Sequence, residues 1–406
     1  MNWSVPNLRH LRAFQAVAEN RSITAASRQV FISQPAITQA VAKMEAVLGV
    51  ALFDRRPEGV FPTEAGGLFH DRVERMMRHL QTGVAEALRA SSRRGGRAAP
   101  NLDQMLTGVQ LRALIAVAEA RNFSLAARAV GVSQPSLHRA ARELEHLLAV
   151  PLFEAASRGV TLTRAAGAMA MQAKLALAEL AQGVAEIEEW KGGQSGGLVI
   201  GSMPLARSFL LPTVINAFAR ERPDARVAVV DGPYEDMLHG LRHGDIDLLV
   251  GALRDPVPID DVVQQPLFVD PLAVVARVGH PLAQNPRISV ADLARYPWVV
   301  PRAGTPTRTH FERLFLGAGL AVPKALVEAG SLILIRGLLS ASDRLTIISL
   351  HQIRHETQWG MLAPLPFPLP GTARPIGLTM RRDWRPTAAQ ARFIELLREA
   401  GRVIHT

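Results

Sequence analysis

Apolar residues in the first 190 or so positions recur at steps of three and four, the spacing that lines one face of a helix. Beyond residue 198 the texture changes to short β-rich runs, Leu198–Ile200, Val227–Val230 and Leu248–Val250, alternating with helical stretches. That alternation predicts βαβ units and a mainly parallel sheet, with room between about 195 and 406 for two small α/β lobes. Two breaks punctuate the chain. Ser91–Pro100, rich in Gly, Ser and Arg, opens a flexible tether of about 15 residues, and Gly192–Gly197 separates the helical half from the α/β half.

The helical half holds one segment twice. Leu11–Glu19, Ala25–Pro35 and Leu48–Phe53 return as Leu111–Glu119, Leu125–Pro135 and Leu148–Phe153, with roughly 30 of about 78 positions identical. Each copy reads as helix, turn, helix, hairpin and long helix. In copy one Ser22 is a predicted N-cap for a helix through Val30, and Phe31–Ile32 form the turn. Ser33 caps the next helix, with Pro35 in its first turn where a missing N–H costs little. Ile37, Val41, Met44 and Leu48 should face the core, and Gln34, Thr38, Gln39, Ala42 and Lys43 the opposite side, where small polar groups suit a major groove.

Copy two has Leu137, Ala141, Leu144 and Leu148 inward and Ser136, His138, Arg139 and Arg142 outward. Hairpins at Arg55–Phe61 and Ala155–Thr161 carry Gly59 and Gly159 where a turn favours positive φ. Thr63 and Thr163 then lead into long helices. Their seams, Phe69, Val73, Met76, Leu80, Val84, Ala87 and Met169, Ala173, Ala176, Leu180, Val184, Ile187, suit pairing with a second helix, parallel or antiparallel. A pair of small helical bundles would share these stripes; Ser-Gln-Pro at the start of both second helices, each followed by a hairpin and a long helix, favours DNA reading. The candidate DNA contacts are Ser33, Gln34, Pro35, Thr38, Gln39, Lys43, Arg55 and Arg56 in copy one. In copy two they are Ser133, Gln134, Pro135, Ser136, His138, Arg139, Arg142 and Arg158.

Charge agrees with a polyanionic partner: 46 Lys and Arg against 36 Asp and Glu give a net +10 over 406 residues. The surplus is uneven, about +6 in residues 1–100 and about zero in 101–194. With no cysteine, disulfides, thiolate metal sites and thiol redox sensing are excluded. Arg9, Arg12 and Glu19 interrupt any apolar leader, and no uncharged run approaches the ~18 residues of a membrane span, so a cytoplasmic protein without membrane contact is expected. His239 with His243 and His351 with His355 have i, i+4 spacing but lack a third ligand, and His355–Trp359 departs from H-E-x-x-H. Gly192–Gly197 lacks a phosphate-loop Lys-Ser/Thr, and no nucleophile elbow is present. No metal, cofactor or enzymatic activity is predicted.

These segments resemble the LysR-type transcriptional regulators. The resemblance rests on Ala25-Ala26, Ser33-Gln34-Pro35, Glu45, Leu48–Phe53 and Thr63–Gly66, with their copies, and extends to Gly201–Pro212, Leu241–Gly251, Gly279–Leu282 and Asp343–Ser349. Gly251–Arg254, Tyr296–Trp298, Leu334–Leu339 and Arg374–Thr379 are similar to one branch, that of the galactose-binding-protein regulator. It implies a multidomain chain: two all-α-rich winged helix-turn-helix domains with linker helices, then a two-lobed α/β periplasmic-binding-protein-like (type 2) effector domain. The expected segments are 1–62 and 107–162 (heads), 63–90 and 163–192 (linker helices), 91–106 (tether) and 193–406 (effector domain). Within the last, 197–272 with 375–406 would form lobe I and 273–374 lobe II. Two departures stand out. The head is doubled, and where the family wing usually has two basic positions, copy one has Arg55 and Glu58 and copy two Ala155 and Arg158.

The implied partners are double-stranded promoter DNA, a small-molecule effector and further copies of the chain in a homo-oligomer, with RNA polymerase a further candidate. In a two-lobed clamp the ligand sits between the lobes, near strand C-termini and helix N-termini. The candidate effector contacts are Met203, Pro204 and Leu205, then Gly232, Pro233 and Tyr234, then Pro301, Arg302, Thr305 and Ser331. Arg302 is the candidate partner for a carboxylate. A sugar, a sugar acid or an aromatic acid each fits this set. An architectural DNA-binding protein with a vestigial effector domain and a solute-binding protein stand as alternatives. So do two arrangements of the linkers: pairing within one chain as a pseudo-dimeric reader, or pairing between chains to present four heads.

Overall fold

The computed structural model describes residues 7–91, 101–157, 159–194 and 196–404. The chain divides into two compact units, residues 1–196 with 243–245, and residues 197–242 with 246–406. Arg158 of the second hairpin and positions 92–100 of the tether lie outside the described residues.

In the first unit, α1 (Leu8–Asn20), α2 (Ile23–Val30) and α3 (Gln34–Leu48) are followed by a hairpin of β1 (Phe53–Arg56) and β2 (Gly59–Pro62), then the long α4 (Glu64–Ala90). After a single turn, α5 (Leu102–Met105), the same order repeats as α6 (Gly108–Ala120), α7 (Phe123–Val130), α8 (Gln134–Leu148), β3 (Phe153–Ala156), β4 (Gly159–Leu162) and α9 (Arg164–Trp190). The caps follow the sequence in part. Ser22, Thr63, Ser133 and Thr163 each accept an N–H of the first turn, but Ser33 holds the N-cap position without a side-chain bond. The predicted core faces of α3 and α8 are buried throughout. The tether is shorter than predicted: Leu102 and Leu106 are buried in the helical core, and Arg12 donates to the Asp103 carbonyl at 2.5 Å, because two apolar side chains and a guanidinium hold this stretch to the first head.

The long helices α4 and α9, each of 27 residues, pack against one another and run antiparallel: Arg72 meets Glu179, Gln182 and Glu186, and His79 meets Gln172. The predicted seams are buried except Val184, which is half-buried. They pack tightly at two glycines. A methyl at Gly83 would lie 2.9 Å from Gln172, and one at Gly183 would lie 2.9 Å from Arg72. Among the apolar seam residues sits a charged cluster. Arg72, with 0% of its side chain exposed, donates bidentately to Glu186 at 2.9 and 2.5 Å, and through Nη1 to Glu179 and Gln182 at 2.8 Å. Arg75 adds a second donor to Glu179 at 3.0 Å. Burial alone would lower the Arg72 pKa, and the hydrogen bonds it donates to Glu186 and Glu179 reverse that to a net rise. Burial alone would raise that of Glu179, and Arg75 and Arg72 reverse it to a net fall.

The second unit has two five-stranded sheets. The first, ordered β6-β5-β7-β14-β8, contains β5 (Gly197–Ser202), β6 (Arg226–Val230), β7 (Leu248–Ala252), β8 (Val262–Asp270) and β14 (Arg374–Arg381). It is flanked by α10 (Pro204–Ser208), α11 (Leu210–Glu221), α12 (Tyr234–Arg242) and the C-terminal α17 (Ala388–Ile404), with Phe218 of α11 edge-on to Phe393 of α17. The second sheet, ordered β11-β10-β12-β9-β13, contains β9 (Leu272–Arg277), β10 (Trp298–Val300), β11 (Leu326–Glu328), β12 (Leu345–Ser349) and β13 (Leu362–Pro364). With it go α13 (Val290–Ala294), α14 (Pro306–Leu316), α15 (Leu332–Ser340) and α16 (Arg354–Gln358), and a core built on Trp298, Phe311 and Phe315.

In each sheet four strands run one way and one runs against them: β14 is antiparallel to both of its neighbours, β7 and β8, and β9 is antiparallel to both β12 and β13. The chain passes from the first sheet to the second between β8 and β9 and returns at β14. The expected lobe limits shift with this crossing: Leu272 already pairs with Ser349 in the second sheet, and Arg374 pairs with Asp270 in the first.

A carboxylate whose pKa is lowered by folding stabilises the fold above its unfolded pKa, and that stabilisation is lost as pH falls through the folded value. Replacing Glu179 by Gln should therefore cost about 1–3 kcal/mol at neutral pH and flatten the acid side of the stability curve. Thermal melting of the full chain from pH 7 down through the glutamate range checks this; parallel curves for the two proteins would contradict it.

Candidate DNA-reading heads and effector cleft

Each head is fastened to its linker by the same devices. In α3, Glu45 Oε1 accepts the backbone N–H groups of Leu52 and Phe53 at 2.8 and 3.4 Å; in α8, Glu145 does the same for Leu152 and Phe153 at 2.7 and 3.0 Å. A single carboxylate thus ties the second helix to the root of the hairpin. The hairpin tips are pinned as well. Val60 and Val160 donate to the carbonyls of Arg21 and Arg121 at 3.0 and 2.9 Å, at the ends of α1 and α6. Gly59 and Gly159 have φ of 144° and 98°, and any Cβ there would run into those same carbonyls. The positive-φ expectation is met, with a close approach the sequence did not reveal.

On α3 the candidate contacts Gln34, Pro35, Gln39 and Lys43 are exposed and Thr38 is half-exposed, its hydroxyl donating back to the Gln34 carbonyl at 3.1 Å. Ser33 is exposed, as are Arg55 and Arg56 on the hairpin, where Arg56 lies near Asp54 and over the Phe61 ring. On α8, Ser133, Gln134, Pro135, Ser136, His138, Arg139 and Arg142 are all exposed. They are not equally available. Ser133 and Ser136 bond each other at 2.8 Å, His138 packs on Phe123, and Arg142 is engaged with Glu145 at 2.5 Å. Among the described residues Arg139 has no carboxylate partner, so it reaches outward unopposed.

In the second unit, Met203 follows β5 and donates its N–H to Val250 at 3.0 Å, with Pro204 exposed beside it. Leu205 is different: it is 5% exposed and belongs to the core of the first sheet, which withdraws its side chain from a ligand. After β6 come exposed Gly232 and Pro233 and then Tyr234, whose ring carries the Arg254 guanidinium at 4.4 Å. The Tyr234 hydroxyl is buried without a hydrogen-bond partner. After β10 come Pro301, exposed Arg302 and Thr305, whose hydroxyl donates to the Arg302 carbonyl at 2.8 Å and caps α14. Ser331, exposed, caps α15 by position alone.

The sequence reading missed the groups where the chain crosses between the sheets. Asp270, fully buried, accepts the Ser349 hydroxyl at 2.5 Å and lies 3.4 Å from Arg374, which donates to Thr307 at 3.1 Å. Burial raises the Asp270 pKa and lowers that of Arg374 despite their pairing. Phe268 against His351, and Arg354 over Phe209, add contacts from one sheet's elements to the other's. A sequence signal existed only in outline: Asp270-Pro271 and Arg374-Pro375 put a charge before a proline at each strand boundary. Among the described residues no group of three or more His, Cys, Asp or Glu is placed to hold a metal ion, and no helix is long and apolar enough to cross a membrane.

Comparison with known proteins decides the family. The LysR substrate binding domain matches residues 191–402, and the bacterial regulatory helix-turn-helix protein of the lysR family matches residues 8–67 and 109–167. The chain belongs to the LysR family. The HTH-type transcriptional regulator GalR of Pseudomonas putida is 34% identical over 395 residues, 97% of each chain. The HTH-type transcriptional regulator PcaQ of Agrobacterium fabrum is 29% identical over 74% of this chain and 96% of its own. Among solved structures, full-length OxyR from Pseudomonas aeruginosa is 25% identical with a TM-score of 0.55, covering 73% of this chain and 95% of that one. CbnR, a LysR family transcriptional regulator, shares the fold at 24% identity and a TM-score of 0.50, over 72% of this chain and 98% of that one.

For this LysR-family chain Arg139→Ala should weaken operator binding and change base preference at one position, by about 1–3 kcal/mol if the guanidinium reads a guanine. Binding titrations on a set of single-base operator variants check it. Unchanged affinity across the set would remove α8 from base reading.

Proposed function

We propose that the protein is a ligand-responsive transcriptional regulator that reads promoter DNA with both heads of one chain and takes a small polar effector between its two α/β lobes. The observation that carries the reading is the antiparallel linker pair. Each head sits at the N-terminal end of its own linker helix, so antiparallel packing sends the two exposed reading faces to opposite ends of one rod. In agreement, Lys191 at the far end of α9 donates to the Leu48 carbonyl of the first head at 3.2 Å. A helix of 27 residues is about 40 Å long at ~1.5 Å per residue, close to the ~34–36 Å between successive major grooves on one DNA face. Matches to relatives are in keeping: GalR aligns across both heads, whereas PcaQ, aligned over nearly all its own length, leaves about a quarter of this chain unmatched.

The effector is a sugar, a sugar acid or an aromatic acid in this reading, bounded by Met203, Pro204, Gly232, Pro233, Tyr234, Pro301, Arg302, Thr305 and Ser331. Asp270, Ser349, Arg374 and Thr307 sit where a change in lobe angle would be felt, since they join the two sheets. A ligand shifts such an equilibrium only by its difference in affinity for the two lobe arrangements.

The test combines footprinting with solution mass on the full chain, before and after adding members of the three effector classes. Two protected half-sites per chain, and one class that both raises the melting temperature and alters the footprint, are the expected results. Two half-sites per pair of chains, with either head dispensable, would contradict the two-headed reader. A footprint indifferent to every ligand that stabilises the protein would contradict the regulatory part.

A further inference from the structure

The linker pair is nearly symmetric in shape and strongly asymmetric in charge. A shift of about 100 positions relates Arg72 to Gln172, His79 to Glu179 and Gly83 to Gly183. Under that relation the contacts Arg72–Glu179 and His79–Gln172 are the two equivalent halves of one twofold-like docking, as are the close approaches at Gly83 and Gly183. Shape alone would therefore allow α4 to dock on a second α4, or α9 on a second α9. Charge does not.

We infer that Arg72, with Arg75, and the acceptors Glu179, Gln182 and Glu186 form a pairing key that commits α4 to α9 and so builds the two-headed reader from one chain. This rests on the reading of the two heads as a single DNA-binding unit. An α9–α9 pair would bury Glu179 and Glu186 of both copies against Gln172 and Leu175, with no cation at either position. An α4–α4 pair would set Arg72 and Arg75 against His79, Thr82 and Glu86, keeping one carboxylate where the mixed pair supplies two and an amide. Because both helices belong to one chain, a self-paired assembly that covers both seams must include the α9–α9 contact, which is the worse of the two. The discrimination comes from what each wrong pair leaves unmatched.

The chain lacks cysteine, so cross-linking can report the pairing directly and without DNA. In full-length protein carrying H79C and Q172C, a short bis-maleimide should give mainly a product of one chain's mass. A product of two chains' mass in the unaltered key would overturn the inference. On this background R72E should lower the single-chain product at least tenfold. R72E/E186R, which restores a pair of reversed sense while Arg75 still holds Glu179, should recover most of it. An unchanged yield in R72E, or no recovery on reversal, would mean that packing rather than charge selects the partner. Failure of the DNA-reading proposal would show in footprints and leave these yields untouched.

Discussion

A guanidinium shut away from water between two helices of one chain governs the DNA-binding half. Arg72 is fully buried, and all three of its nitrogens donate to α9. Leaving such a buried charge with no carboxylate at all costs about 3–5 kcal/mol, whereas replacing the whole set with apolar residues is often neutral. Its value is therefore one of choice more than of net stability. Because the acceptors lie on α9 alone, they fix which helix α4 meets, in which direction and at which register. The position of both heads follows from that single pairing.

The heads themselves have kept their frame and diverged on their reading faces. Glu45 and Glu145 hold the hairpin root alike, and Arg21 and Arg121 receive the hairpin tip alike. Outside that frame, α3 offers Gln39 and Lys43, and α8 offers Arg139 with Arg142 already tied to Glu145. Copy two therefore has fewer unoccupied cations than its sequence suggested. In the proposed reading, two unlike heads on one rod would suit an operator with unequal half-sites, since phosphate contacts position a head and base contacts distinguish its site.

Much of the fold was legible in the chain because it is written in local periodicity. The step of three and four gave the helices and both seams, and the repeat gave the second head once the first was read. What could not be read depends on residues far apart in sequence. Arg72 sits one turn from Phe69 on the seam face, yet only the arrival of Glu179 and Glu186 more than 100 residues later makes its burial sensible. Likewise Ser33 has the right identity for a cap and the wrong side-chain placement, and Leu205 lies after a strand as a ligand contact should but fills a core instead. Asp270, Ser349, Arg374 and Thr307 come from four separated segments and converge only because β8, β9 and β14 carry the chain between the sheets.

In the proposed reading an effector would act by changing how readily the lobes close, and the rod of α4 and α9 would supply two reading faces whose spacing is set within the chain. Spin labels at Q39C and R139C in the full-length protein measure that spacing directly on operator DNA. A narrow distance on the order of one DNA turn, ~34 Å, is expected, and it should persist when labelled chains are diluted with excess unlabelled ones. A distance that disappears on dilution would place the two reading faces on different chains and contradict the proposed reading.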